Sequence, residues 1–145
     1  MSETRYEGCF SVEGGTFVNA GDVSSRIKVI LKNLGVEREV VRRAAIVTYE
    51  SEINIVSYAL RGTIRLSVTP EAVCIEAEDE GPGIPDIELA MQEGFSTAPP
   101  LVREMGFGAG MGLSNIKKFA DSLEITSEVG EGTHVKMRIN MSTAR

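Results

Sequence analysis

Tryptophan is absent from this 145-residue chain, histidine occurs once and cysteine twice. Cys9 and Cys74 lie far apart, with neither CxxC nor mixed Cys/His ligand spacing, which excludes a thiolate zinc site and a disulfide framework. Both read as reduced, partly buried thiols. Positive charge is in deficit, with 15 Lys and Arg against 21 Asp and Glu and a formal net charge of -6. That balance argues against a large electrostatic footprint on nucleic acid or on anionic lipid, although a local basic patch stays open. No uninterrupted apolar run approaches the length of a membrane span. The opening residues 1–5 have no apolar stretch behind them, so no secretory signal is visible and a cytoplasmic protein is expected.

What is present is ordinary for a globular chain: 42% hydrophobic and 25% charged residues. The length suits one domain able to bury a core without staples. Residues 1–35 read as an N-terminal strand and helix that extend a core over 36–141.

Tyr6, Phe10 and Val12 share one parity, which predicts a strand from Tyr6 to Val12 that ends at Gly14-Gly15. Val23, Ile27, Ile30, Leu31 and Leu34 recur at helical spacing, predicting a helix from about Asn19 to Leu34 with Gly35 as its stop. A second helix, from about Glu37 to Leu60, is apolar around most of its circumference, as in a helix covered on several sides. Ile64, Leu66 and Val68, then Val73, Ile75 and Ala77, alternate with polar residues on either side of a Thr69-Pro70-Glu71 turn. This is a hairpin with one apolar face. A short helix over 86–92, a long loop over 93–110, a helix from about Met111 to Asp121 and two strands, Leu123–Ser127 and Thr133–Asn140, complete the pattern. Helices and strands cluster, so the expected fold is α+β: a two-layer sandwich with helices on one face of a mostly antiparallel sheet.

Four places carry chemistry. Asp79 shares parity with Val73, Ile75 and Ala77, so its carboxylate points between sheet and helices, where only several donors make it tolerable. The amino group of an adenine is one such donor. Gly81 and Gly83 flank Pro82 and let the backbone approach a flat ring, with Ile84 as an apolar surface against it; the same string also suits a plain turn. Glu50 and Asn54 project from one face of the long helix, one turn apart, beside Ile46, Val47 and Ile53. A carboxylate there can accept a proton, and an amide carbonyl can fill one magnesium position; an isolated helix-surface pair is the plainer reading. Gly106, Gly108, Gly110 and Gly112 alternate ahead of the next helix, where free N–H groups suit phosphate oxygens. A flexible structural loop would look similar, and the string is neither a Walker A loop nor a dinucleotide fingerprint. Thr133, at the start of the last strand, can offer its hydroxyl to Asp79 or to a water that Asp79 holds.

Taken together and in this order, these elements resemble the GHKL superfamily of ATPases, which includes gyrase, histidine kinases and mismatch-repair ATPases. Glu50-Ser51-Glu52-Ile53-Asn54 looks like its N box, and Asp79-Glu80-Gly81-Pro82-Gly83-Ile84 like its first glycine box. Gly108-Ala109-Gly110-Met111-Gly112-Leu113 looks like its second glycine box, and Gly130-Glu131-Gly132-Thr133 like its final Gly-x-Thr. The resemblance covers roughly residues 40–140. Within the superfamily the chain is most similar to the small anti-sigma-factor serine/threonine kinases, on its size, the Asn-Ile-Val-Ser-Tyr-Ala stretch and the Gly-Phe-Ser-Thr segment at 94–97. Tyr58-Ala59 departs from the His-Ala of many relatives.

The resemblance implies ATP and Mg2+ as cofactors. It makes Glu50 the general base, Asn54 the magnesium ligand and Asp79 the adenine anchor, with the backbone of Gly108, Ala109, Gly110, Met111, Gly112 and Leu113 around the phosphates. The implied partner is a protein, an anti-sigma-factor antagonist or a sigma-like regulator, with no direct nucleic acid and no membrane. A homodimer fits the resemblance, although the outward Arg65, Ser67, Lys136 and Arg138 weaken any strongly hydrophobic interface. Two other functions compete: an ATP-dependent module that sequesters a regulator with little catalysis, and the ATP-binding half of a histidine kinase. The last needs a phosphoacceptor histidine, and the lone His134 begins a strand.

Overall fold

The computed structural model describes residues 4–15, 17–84, 86–87, 91 and 112–142. Five strands form one sheet in the order β1-β2-β3-β5-β4, and every neighbouring pair is antiparallel. They are β1 (Tyr6–Glu13), β2 (Arg61–Val68), β3 (Ala72–Glu80), β4 (Ser122–Glu128) and β5 (Gly132–Asn140). Among the described residues three helices lie against one face: α1 (Asp22–Asn33), α2 (Arg38–Tyr58) and α3 (Gly112–Phe119). The expected α+β two-layer sandwich is the observed fold. Among the described residues no helix is long and apolar enough to cross a membrane.

The register sorts the inner face of the sheet into rows. One row runs Gly8, Leu66, Ile75, Met137, Leu123, and the next runs Phe10, Ile64, Ala77, Val135, Ile125. Ile64, Leu66, Ile75, Met137 and Ile139 are fully buried there, against Ile27 and Leu31 of α1, Val47 and Ile55 of α2 and Ile116 of α3. Burying side chains of this size contributes about 1.5–3 kcal/mol each, so this face is what the helices are held by. The row at the end of the sheet changes character: Val12, Gly62, Asp79, Thr133, Ser127. There the apolar layer gives way to polar groups that still point inward.

The outer face is uncovered among the described residues and carries alternating charge, with Arg65, Glu76, Lys136 and Glu124 opposite one another in one row. Cys9 lies on this face and is exposed, not partly buried as expected, because its parity is opposite to that of Phe10 and Val12. Cys74, also outward, is half-buried as expected.

Element boundaries shift for local reasons. Helix α1 begins at Asp22 and not near Asn19, because Phe17–Asn19 forms a separate 3-10 turn. Helix α2 stops at Tyr58, short of Leu60. Ala59 turns extended, and the Leu60 N–H donates to the Glu80 carbonyl while its own carbonyl accepts from Gly14. Those two bonds tie the end of α2 to the ends of β1 and β3. The expected helix over 86–92 falls mostly outside the described residues; within it, the Met91 N–H donates to the Ile87 carbonyl, at helical spacing. The expected loop over 93–110 lies outside them altogether.

Helix α1 has no side-chain cap of its own, since Gly21 occupies that position. Its first N–H groups are satisfied from another element. Val23 and Ser24 each donate to the Glu52 carboxylate of α2, both at 3.1 Å, and Glu52 is only 2% exposed. A buried carboxylate is expensive unless donors surround it, and a helix N-terminus supplies both donors and a favourable dipole. Replacing Glu52 by Ala strips the cap and leaves buried N–H groups unmet, so the folded state should lose about 2–4 kcal/mol. Urea unfolding with an unchanged m-value checks this; a loss below about 0.5 kcal/mol would mean that water replaces the carboxylate at no cost.

Candidate functional site

Helix α2 crosses the inner face so that its last turns approach the polar row. Ser51 contacts Met137, its hydroxyl lying 3.4 Å from the sulfur, and one turn on Ile55 packs over Gly62, the strand neighbour of Asp79. The side of α2 turned away from these contacts carries Glu50 and Asn54. There it meets α3, which runs antiparallel to it. The Arg43 guanidinium donates to the Phe119 carbonyl at 2.8 Å and pairs with Asp121 at 3.0 Å. Asn115 donates to Glu50 Oε2 at 2.9 Å. Finally Gly112, the first residue of α3, sits against Asn54: a Cβ there would lie 2.9 Å from Asn54 Oδ1. A side chain at 112 would displace the Asn54 carboxamide from where it now lies against the start of α3.

Glu50 is half-buried, and burial pushes its carboxyl above the usual glutamate range while the Asn115 hydrogen bond pulls it back. Asp79 has the same character. Burial raises its carboxyl above the ordinary aspartate value, and the hydrogen bond from the Thr133 N–H to Oδ1, at 3.2 Å, opposes the rise. Thr133 thus meets Asp79 through its backbone. Its hydroxyl, which sequence reasoning directed at Asp79, instead lies 2.9 Å from the Ser127 hydroxyl. The register explains the difference. Thr133 and Asp79 are opposed strand residues, so the main chain arrives first.

Gly81, Gly83 and Ile84 form the next side of this corner. Gly81 lies against Ala59, at the end of α2, and against the Asp79 carboxylate. The Pro82 carbonyl accepts from the Gly130 N–H at 2.8 Å, and the Ile84 N–H donates to Ser127 Oγ at 2.7 Å. Gly83 has φ 77 and so little room that a Cβ would come within 2.4 Å of the Glu128 carbonyl oxygen. A left-handed residue in that space can only be glycine. This segment is therefore stitched to the end of β4 through the Ser127 hydroxyl and to the turn after it main chain on main chain.

The structure brings the expected residues together in two adjoining groups. Glu50, Asn54 and Gly112 gather where α2 meets α3, with half-buried Leu113 packed on the core behind them. Asp79, Gly81, Gly83, Ile84 and Thr133 gather at the end of the sheet. Ile55, in the last turn of α2, and Ala59, just past its end, link the groups, since both touch the second. Gly108, Ala109, Gly110 and Met111 lie outside the described residues. Two residues were missed. Ser127 interrupts the inward Leu123 and Ile125 of β4, a polar residue on an apolar parity that a closer reading could have flagged. Asn115 left only a faint trace, as a mediocre helix former inside a short helix.

The donor set suits a purine nucleotide with magnesium. Among the described residues the Asp79 carboxylate receives a single donor, the Thr133 N–H, which leaves capacity for an exocyclic amine. The same residues contain no group of three His, Cys, Asp or Glu able to hold a metal alone. A magnesium ion here would take Asn54 Oδ1 and complete its shell from phosphates and water, as that ion commonly does. His134 is on the other face of the sheet, 2.7 Å from Glu76 through Nε2, and cannot approach this corner.

A family model described as histidine kinase-, DNA gyrase B-, and HSP90-like ATPase matches residues 39–143. The chain is 38% identical over 102 residues to the serine/threonine-protein kinase RsbT of Bacillus subtilis, covering 66% of this chain and 71% of that one. It is 39% identical over 99 residues to the anti-sigma F factor of Caldanaerobacter subterraneus, covering 68% of this chain and 62% of that one. The anti-sigma F factor of Geobacillus kaustophilus is 35% identical over 109 residues, with 66% of its length covered. The matches thus span about two thirds of these relatives' own lengths. With the antiparallel sheet, the Glu50–Asn54 face and the Asp79 corner, this chain belongs to the histidine kinase-, DNA gyrase B- and HSP90-like ATPase family.

Proposed function

We propose that this chain is a Mg-ATP-dependent protein serine/threonine kinase that acts on a regulator of the anti-sigma-factor antagonist type. The observation that carries the reading is the face of α2: a carboxylate and a carboxamide one turn apart, gripped by α3, next to an inward aspartate at the end of the sheet. Relatives named as a serine/threonine-protein kinase and as anti-sigma F factors support the class of reaction and of partner.

Bound Mg-ATP supplies the transferable phosphoryl group. Asp79 would take the amine of the base, with Gly81 and Ile84 as the surface beside the ring. Asn54 offers its amide oxygen to the metal. Gly112 and Leu113, at the start of α3, would offer main chain to the phosphates, as would Gly108, Ala109, Gly110 and Met111 by the sequence resemblance. Thr133 holds Asp79 from behind through its N–H. Glu50 would accept the proton of the partner's hydroxyl as that oxygen bonds to the γ-phosphorus and the bond to the β-phosphate breaks, releasing ADP; burial raises its carboxyl toward the working range of a general base. Transfer of this kind depends mainly on positioning and charge neutralisation.

The names of the anti-sigma F factors favour a second reading, in which the chain captures a regulator and transfers nothing. Glu50→Gln separates the two. Under the kinase reading, transfer of labelled phosphate from ATP to an antagonist should fall by about 10²-fold or more while ATP affinity stays. Unchanged transfer in that variant would remove Glu50 from the chemistry, and capture of a partner without any transfer by the wild type would favour sequestration.

Asp79→Asn gives an opposite pair of effects. Burial raises the folded pKa of Asp79 above its unfolded value, so the nucleotide-free fold loses stability as pH rises through that window and carries the penalty at neutral pH. Asn keeps an acceptor for the Thr133 N–H and carries no charge. The variant should therefore melt higher than the wild type without nucleotide at pH 7, and gain nothing from added Mg-ATP. Calorimetric scans with and without nucleotide check both halves. A variant that ATP still stabilises fully would dismiss Asp79 as the base anchor.

A further inference from the structure

We infer that Asn115 is a positioning residue for Glu50: its carboxamide holds one carboxylate oxygen, so that the other faces the hydroxyl to be deprotonated. The inference rests on the reading of Glu50 as general base given above, and adds a residue which that reading does not contain.

The contact has one chemical sense. An ionised carboxylate only accepts, so the amide must present its NH2 group to Glu50 Oε2, at 2.9 Å. Among the described residues this is the one donor that Glu50 receives. A carboxylate on a glutamate side chain has three rotatable bonds behind it, and without a donor it would sample several directions. One hydrogen bond from a second helix restrains its direction, and among the described residues no donor meets Oε1.

Asn115 can do this because it cannot drift. Helix α3 is pinned to α2 at both ends, by Arg43 on the Phe119 carbonyl and by the close seating of Gly112 on Asn54. Asn115 stands between those points, one turn in from Gly112, with Ile116 beside it wholly buried. Asparagine is a poorer helix former than Ala, Leu or Lys, and this helix has only eight residues. The amide itself takes no proton at any working pH, so its influence on proton transfer passes through Glu50. A hydrogen bond that merely glued two helices together would serve stability equally well if both partners were replaced by apolar residues.

The test is a double-mutant cycle on the full chain with Mg2+ and γ-labelled ATP, protein in excess, following single-turnover hydrolysis, in which water stands in for the partner's hydroxyl as the group Glu50 deprotonates, alongside ATP affinity. Asn115→Ala and the isosteric Asn115→Asp should each slow turnover by about tenfold or more, with ATP affinity within about threefold of the wild type. In a Glu50→Gln background, Asn115→Ala should slow it no further, because a residue acting through another is silent once that other is gone. Unchanged turnover in Asn115→Ala, an additive loss in the double variant, or ATP affinity falling in step with turnover would each overturn the inference. Turnover unaffected by Glu50→Gln alone would instead defeat the general-base reading beneath it. A readout independent of turnover is the 13C resonance of the Glu50 carboxyl: its titration midpoint should move up in Asn115→Asp, where a donor becomes a second carboxylate. An unmoved midpoint would show that the contact does not exist in solution.

Discussion

Helix α2 meets a different neighbour on each of three stripes, and its rotation about its own axis is fixed from all three sides. Ser51 and Ile55 seat it on the sheet, Glu52 locks it to the start of α1, and Glu50 and Asn54 meet α3. A helix held by apolar contacts alone can roll by some degrees at little cost, because dispersion and burial are non-directional. The Glu52 cap is directional, and so is the bond from Asn115. The two polar contacts bracket the apolar one, and the functional face of the helix points where they leave it.

The same logic runs through the end of the sheet. Three rows of the inner face are apolar, and the last turns polar at Asp79, where helix cover ends and a ligand can supply what solvent otherwise would. Asp79 and Glu50 both sit at a cost, each with a carboxyl raised by burial and opposed by a single hydrogen bond. Such tension within one site is common where groups are kept ready for a partner not made of protein. The structural carboxylate, Glu52, is by contrast the most deeply buried of the three and has a backbone donor on each oxygen. Three acids on neighbouring segments thus differ in how completely they are satisfied: Glu52 on both oxygens, Glu50 and Asp79 on one each among the described residues.

Much of this was legible in the residues. Period-two alternation placed Asp79 inward with Val73, Ile75 and Ala77, and helical spacing put Glu50 and Asn54 on one face, because both depend only on local geometry. What could not be read depends on which atoms meet across distant segments. That Thr133 offers its N–H and not its hydroxyl follows from strand register. That Glu52 caps α1 follows from the packing angle of two helices, although its position, two residues from Glu50, already set it on another side of α2. Cys9 was misjudged because a strand with few apolar residues gives a weak parity signal. Asn115 needed α3 laid against α2 before it had any meaning.

The wall around Gly83 is made of main chain. The carbonyl of Glu128, the N–H of Gly130 and the carbonyl of Pro82 face one another with no room for side chains between them. Exchanging the side chains of Glu128 or Val129 leaves such a surface in place, whereas any residue with a Cβ at Gly83 would force the hairpin aside. Otherwise its outline changes when the hairpin between β4 and β5 gains or loses a residue. This flank is therefore set by the length and backbone course of the hairpin more than by the side chains it carries.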